Sequence, residues 1–302
     1  SYIDDTVTVR FEKGILVFFY DIILAVFKLR AQKYDLLLDL EFFTRFSAIL
    51  TYIINAKISI GFNTWEVWRG NFHTIKVPFN RYWHVTRIFA NMLSNLGIEI
   101  DSLELVRPRV GAEAKAKIKN YVKDDFYKNK FLIPINVNND SLGFERRWPK
   151  QYYIALINEL IKKYNAAIVL IGSQKEASYV NEVEKEITFK GNIINLAGKT
   201  NIEELSALFE IANLLITNDS GPVHLAEAMG LKSVSFFGPE TPLLYGPQMK
   251  DSLVFYKNID CSPCMNVHSS KKIKCVREKS ECMEKISVKE VLEKIDEKYF
   301  KK

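Results

Sequence analysis

Residues 212–247 (ANLLITNDSGPVHLAEAMGLKSVSFFGPETPLLYGP) constrain this chain more than any other stretch. Leu214 to Thr217 is a short apolar run ended by turn formers, which predicts a buried strand. Val223 to Met229 predicts a helix, stopped by Gly230 in the left-handed position that commonly ends helices. Between them Asp219 or Ser220 is placed to N-cap, Gly221 leaves room over the backbone, and Pro222 sits where a missing N–H costs nothing. A strand, a tight turn and a helix N-terminus together offer unpaired amides and a positive dipole end to an anion. The same residues also describe an ordinary, well-capped strand-to-helix connection, so the remainder of the chain has to decide.

With 302 residues there is room for two domains with full-sized cores. At 48% hydrophobic and 26% charged residues, the composition is that of a soluble globular protein. The longest apolar stretch, Ile15 to Phe27, is too short to span a bilayer and is interrupted by Asp21. The acidic N-terminus has no signal-peptide pattern, which favours the cytoplasm. The net charge of +6 comes from lysines scattered among glutamates, as on solvated helix faces, with a weaker reading as attraction to a sugar nucleotide or a membrane surface. No basic stripe interleaved with aromatics is present, so no nucleic-acid partner is expected.

Apolar periodicity alternates between strand and helix along both halves. Residues 1–12 read as a strand, Ile15 to Ala31 as a helix, Tyr34 to Leu40 as a buried parallel-type strand, and Ile58 to Phe62 as another. Asn63 to Phe79 reads as an aromatic loop with Trp65, Trp68, Phe72 and His73. Val106 to Gly111 looks like a boundary, giving domains 1–109 and 110–302, and the polar helix Ala112 to Lys128 reads as a bridge between them. The pattern then restarts with strands at Phe131–Val137, Ala167–Gly172, Ile193–Leu196, Leu214–Thr217 and Ser233–Phe237, helices between them, and a last helix from Ile286 to Phe300 that could return to the first domain. The fold class expected is α/β, with doubly wound parallel sheets that bind ligands at the carboxyl ends of their strands. Five polar loops fall at those ends: 136–148, 172–176, 197–200, 218–224 and 238–242. That is the convergence a nucleotide diphosphate needs, with Arg146 or Arg147 and backbone amides facing the phosphates.

The run from Leu196 to Pro247 closely resembles the C-terminal domain of glycosyltransferase family 9, the ADP-heptose:lipopolysaccharide heptosyltransferases. The family's G-[KR]-T turn is matched by Gly198-Lys199-Thr200 and its N-D-[ST]-G-x-x-H-L-A core by Asn218 to Ala226. Its F-G-P-T-x-P turn appears as Phe237 to Pro242, with Glu240 before the Thr, and its K/R-x-W-P donor loop as Arg146 to Pro149. The resemblance implies a GT-B fold, two Rossmann-like domains facing a cleft. It implies an inverting transferase that moves a sugar, heptose in the family, from a nucleotide-diphosphate donor to a lipopolysaccharide-core or related glycan acceptor, with no cofactor required for chemistry. ADP-heptose is the donor so implied, a saccharide or glycolipid the acceptor, and peripheral contact with the inner membrane would accompany the latter.

By the same resemblance, the amides of Ser220, Gly221, Val223 and His224 hold the donor diphosphate, with the His224 side chain beside it. Asp219 orients the loop by capping the helix, Arg146 neutralises the leaving diphosphate, Glu176 takes ribose hydroxyls, and Lys199 and Thr200 line the cleft. Family members begin with a further strand and a Gly-containing loop that carries an acidic general base. Against that pattern the first domain here lacks its first βα unit, about 30 residues. The main base is then expected before residue 1, with Asp39 and Glu41 as fallback acids. A non-catalytic sugar-nucleotide or glycan-binding protein is the alternative reading, and an epimerase of the same fold a third. Cys261, Cys264, Cys275 and Cys282 lie within one segment whose first pair has zinc-knuckle spacing. Structural zinc, redox or disulfide pairing, and free thiols all remain open for them.

Overall fold

In a computed structural model of the chain, the described residues are 4–10, 13–42, 44–64, 68–138, 143–265 and 275–301. The chain divides between Leu103 and Glu104 into two compact units. The division precedes the expected boundary because residues 104–111 are tied to the second unit. Arg107 pairs with Glu210 at 3.2 Å, and the Gly111 N–H donates to Glu203 at 2.8 Å.

The first unit holds α1 (Ile15–Ala31), β1 (Leu36–Asp39), α2 (Arg45–Ile54), β2 (Ile58–Asn63), β3 (Ile75–Pro78) and α3 (Val85–Ser94). Its three strands are parallel in the order β1-β2-β3. Phe62 forms the middle of the core, with the rings of Phe42, Phe79 and Phe89 5.9, 5.6 and 5.7 Å away. Two expectations fail here. No strand forms over residues 4–10, where Arg10 instead grips Asp21 of α1 through its backbone N–H and its guanidinium. The supposed aromatic loop contains β3, whose short alternation of Ile75 and Val77 about Lys76 is lost among the aromatics. Trp65 lies outside the described residues.

The second unit contains α4 (Ala112–Tyr121), α5 (Asp124–Tyr127), β4 (Leu132–Asn136), α6 (Lys150–Tyr164), β5 (Ala167–Leu170), α7 (Ala177–Glu186), β6 (Ile193–Asn195), α8 (Ile202–Ile211), β7 (Leu215–Asn218), α9 (Gly221–Ala228), β8 (Ser233–Phe237), α10 (Pro242–Tyr245), β9 (Leu253–Tyr256), α11 (Glu281–Glu284) and α12 (Val288–Ile295). All six strands are parallel, in the order β6-β5-β4-β7-β8-β9. Alternate residues serve opposite faces, as the pleat requires. Ile133, Ile135, Ile168 and Leu170 pack with α6, α7 and α12, while Leu132, Ala167 and Val169 pack with α4, α8 and α9. The helix read as a polar bridge is thus a packed one. Ala114, Ile118 and Val122, four residues apart, bury its apolar stripe. The last helix belongs to this unit as well, with Val291 and Ile295 in the core and Phe300 stacked on Tyr164 at 3.7 Å. Among the described residues no helix is long and apolar enough to cross a membrane.

Gly61, in the middle of β2, has no room for a side chain, because a Cβ there would run into the His73 ring. Gly61→Ala is expected to destabilise the first unit by about 1–3 kcal/mol, the cost of overpacking a fixed ring. Urea denaturation followed by tryptophan fluorescence measures it, and an unchanged midpoint would contradict the packing described.

Candidate functional site

The strand order of the second sheet reverses direction between β4 and β7, and such a switch point opens a crevice at the carboxyl ends of the two strands. β4 ends at Asn136 and β7 at Asn218, so both connecting loops leave from this crevice. Buried side-chain amides fasten them together. Asn218 Oδ1 accepts the Trp148 N–H at 2.8 Å, and Asn218 Nδ2 donates to the Asn138 carbonyl at 3.0 Å. Asn136 Nδ2 donates to Ser220 Oγ at 3.2 Å. Trp148 is fully buried, stacked on Phe236 at 4.3 Å, and its Nε1 donates to the Ile286 carbonyl. The R-W-P run is therefore an anchor as well as a loop.

That anchor aims Arg146 at the turn after β7. Its Nε donates to Asp219 Oδ2 at 3.0 Å and its Nη2 to the Asp219 carbonyl at 2.6 Å, while Nη1 makes no hydrogen bond among the described residues. Asp219 is buried, and burial pushes its carboxyl above the usual range although the Arg146 charge and hydrogen bond pull it down. The neighbouring Arg147 diverges, with its guanidinium 4.1 Å over the Phe144 ring and 4.7 Å over Tyr179. The structure thus separates two arginines that the sequence leaves equivalent.

α9 begins at Gly221 with Ser220 as its N-cap residue, yet no side chain caps it. Ser220 Oγ is turned inward to Thr217 Oγ1 and the Asn218 carbonyl. Asp219, expected to cap the helix, holds Arg146 with its carboxylate. Among the described residues the Ser220 and Gly221 amides donate to nothing, and the space a Gly221 Cβ would occupy is open. Val223 is less available, since its N–H donates to the Ser220 carbonyl at 3.1 Å and its side chain is buried.

These groups border a cavity of about 440 Å³. Its lining combines the polar Asn136, Arg146 and Glu176 and the backbone of Ser220 and Gly221 with the apolar Ile171, Ile202 and Leu205. Such a volume suits a small ligand with a charged end and a flat apolar one. Of the residues read from the sequence, Arg146, Glu176, Thr200, Ser220 and Gly221 line the cavity, and Asp219 lies beneath it holding Arg146. Glu176 spends one oxygen on the Ser173 N–H of its own turn, at 2.6 Å. Lys199 is not in the lining; its Nζ donates to the Asn195 carbonyl. Val223 and His224 are not in the lining either. Sequence reasoning missed Asn136, Asn201 and the apolar wall. Asn201 had a readable signal, the capping box Asn201–Glu204 that starts α8 beside the cavity.

Asp39, in the first unit, is placed for structure rather than for proton transfer. Its Oδ2 accepts from Arg69 Nη2 at 2.7 Å, His73 Nε2 at 2.9 Å and Ser47 Oγ at 3.2 Å, and its Oδ1 from the Glu41 N–H. Burial raises its pKa, but the His73 hydrogen bond and the Arg69 charge outweigh burial and hold it below the usual carboxylate range. A carboxylate held in this way is a poor base. Glu41 accepts the Phe42 N–H.

All four cysteines are free thiols. They line one small cavity of about 10 Å³ together with Pro239, Arg277 and Glu281. Among the described residues no group of three or more His, Cys, Asp or Glu is arranged to hold a metal ion.

The comparisons with known proteins agree with this geometry. The model of glycosyltransferase family 9 (heptosyltransferase) matches residues 25–275. Lipooligosaccharide heptosyltransferase 2 of Campylobacter jejuni is 27% identical over 198 residues, covering 61% of this chain and 60% of that one. The chain thus spans about three fifths of the length of that relative. A glycosyl transferase family 9 structure from Veillonella parvula superposes with a TM-score of 0.75 at 23% identity, covering 95% of this chain and 80% of that one. E. coli ADP-heptose lps heptosyltransferase II gives 0.70 at 20% identity, with 92% and 80% covered. The fold class is accordingly GT-B, built from Rossmann-like α/β units.

Asn218→Ala is expected to destabilise the second unit by roughly 2–4 kcal/mol, because it strands the buried Trp148 N–H and Asn138 carbonyl together. Chemical denaturation measures this, and a loss under about 0.5 kcal/mol, that of an ordinary surface substitution, would refute the stapling role.

Proposed function

The chain belongs to glycosyltransferase family 9, the heptosyltransferase family, and on that premise we propose that it is an inverting glycosyltransferase. It takes a nucleotide-activated sugar, ADP-heptose, and transfers the heptose to a lipopolysaccharide-core or related glycan. The observation that carries this reading is the cavity at the β4–β7 switch point, lined by Arg146 and by two residues whose amides are unspent at the start of an uncapped helix. Positive charge and oriented amides suit a diphosphate, and the apolar wall of Ile171, Ile202 and Leu205 suits an adenine ring.

In the reaction an acceptor hydroxyl attacks the anomeric carbon opposite the diphosphate. The glycosidic oxygen–carbon bond forms, the bond to the diphosphate breaks, and ADP leaves with the electron pair. Arg146 and the Ser220 and Gly221 amides stabilise the negative charge that grows on the leaving phosphate, a task for which preorganised donors are most effective. Thr200 and the second oxygen of Glu176 take sugar or ribose hydroxyls. The acceptor proton goes to a base other than Asp39, whose oxygens are already engaged. The resemblance that supplies the reaction also supplies its setting, the cytoplasmic face of the inner membrane with a glycolipid acceptor.

Incubating the full-length protein with ADP-heptose and a core acceptor tests this directly. Acceptor-dependent ADP release is expected. Thermal stabilisation by the donor without release would favour a binding protein, and donor conversion without acceptor an epimerase. Arg146→Lys keeps the charge and loses the two-pronged grip, and is expected to weaken ADP about tenfold. Unchanged ADP affinity would remove Arg146 from the site.

Structural zinc is the reading proposed for the four cysteines, which share one cavity about the size of a single ion but are not arranged around it as ligands. The thiols would draw in around the metal and lose their protons to it. Elemental analysis is expected to give one zinc per chain with all four thiols protected. A metal-free protein with four reactive thiols ends this reading.

A further inference from the structure

Glu240 stands where the family's F-G-P-T-x-P pattern has its Thr, and the structure buries it to 3% exposure. Its Oε1 accepts the Thr241 N–H at 2.9 Å, while Oε2 has no hydrogen-bond partner among the described residues. A charged oxygen stripped of water with nothing in its place is strongly disfavoured. Burial accordingly pushes this carboxyl up to about 7, with the Thr241 N–H pulling it down, the Asp219 charge raising it and the Arg146 charge lowering it.

The surroundings make this group consequential. The Asp219 N–H donates to the Phe236 carbonyl at 2.9 Å, which sets the turn after β8 against the turn after β7, and Asp219 and Arg146 both act on Glu240 electrostatically. Tyr245 of α10 feels its charge as well, and its phenol is pushed up chiefly by burial. On the other side of the turn, Pro239 accepts the Cys264 N–H, and burial pushes the Cys264 thiol up and the Cys282 thiol to about 11. Glu145, beside Arg146, lines the cavity next to Pro239. Arg146 is the cation that the cavity shares with this cluster, and Asp219 already balances it. A second carboxylate charge would leave the cluster net negative next to the place where a diphosphate binds.

We propose that Glu240 is a positioning residue for diphosphate binding, acting through Arg146. As a neutral acid it leaves the guanidinium charge facing the ligand, and as an anion it engages that charge and repels the ligand. The inference rests on the donor reading of the cavity. The sign follows directly: the neutral form prevails below about pH 7, so affinity for a nucleoside diphosphate falls as pH rises through that value. Single-proton linkage limits the fall to about tenfold per pH unit.

Calorimetric titration of ADP into the wild-type protein and into Glu240→Gln, from about pH 6 to about pH 8.5, tests it. The terminal phosphate of ADP titrates with both proteins, so only the difference between the two profiles belongs to Glu240. The wild-type affinity is expected to fall about tenfold more than that of Glu240→Gln across this range. ADP binding to both with the same pH profile overturns the inference and leaves the donor reading intact. ADP binding to neither, at any pH, overturns the donor reading and the inference with it. Should Glu240→Gln not fold, the wild-type protein still decides with ADP-glucose, whose diester phosphates do not titrate in this range. Net proton uptake on binding near pH 7.5 is expected, in an amount of about one proton or less. No uptake overturns the proposal.

Discussion

The pairing of Arg146 with Asp219 is the interaction on which the second unit's ligand face depends. Each of the two loops at the switch point ends in a charged residue that neither loop alone could keep out of water. Asp219 has 5% of its side chain exposed and Arg146 15%, so the pair is largely desolvated. Burying such a pair costs several kcal/mol per ion, recovered only when geometry and further hydrogen bonds are good. Here the guanidinium grips both the carboxylate and the carbonyl of one residue, which fixes the turn's backbone as well as its charge. Trp148 and Asn218 supply the rigidity that makes this grip possible, one by stacking in the core and the other by closing the gap between strands.

The two units use a buried aspartate–arginine pair to opposite ends. Arg69 is 1% exposed, and it also donates to the Thr44 and Phe62 carbonyls, joining β1, the start of α2 and β2. With His73 and Ser47 added, Asp39 Oδ2 accepts three hydrogen bonds within a buried cluster. Arg146 keeps one edge of its guanidinium toward the cavity. The difference lies in the remaining donors around each carboxylate, not in the pair itself.

Much of this was legible in the residues. The strand ends, Gly230 as a helix stop, and the loop convergence at Asn218 to His224 follow from local pattern, and the helix over Lys150 to Tyr164 falls where its periodicity puts it. What was not legible depends on contacts far apart in sequence. β3 and β9 are four-residue strands whose pairing partners, rather than their composition, define them. The stripe Ala114, Ile118, Val122 is so diluted by lysines that only its fit against α8 makes it apolar in effect. Asp39 reads as a catalytic carboxylate at a strand end until Arg69, thirty residues away, is brought onto it. Asp219 reads from the sequence as a helix cap because Asp caps helices, and its pairing with a cation held by the other loop was not legible there.

α9 begins without a side-chain cap from its N-cap residue. Its first amides face open space while the one hydroxyl able to satisfy them, on Ser220, is turned into the protein. A cap of that kind contributes on the order of 1 kcal/mol to a helix, and this helix forgoes it. The first turn of α9 is therefore a place where backbone donors are left unsatisfied by the second unit's own atoms. An anion settling there completes the helix, so ligand occupancy and local order at this strand-to-helix junction rise together. Slowed amide exchange at Ser220 and Gly221 would be its signature.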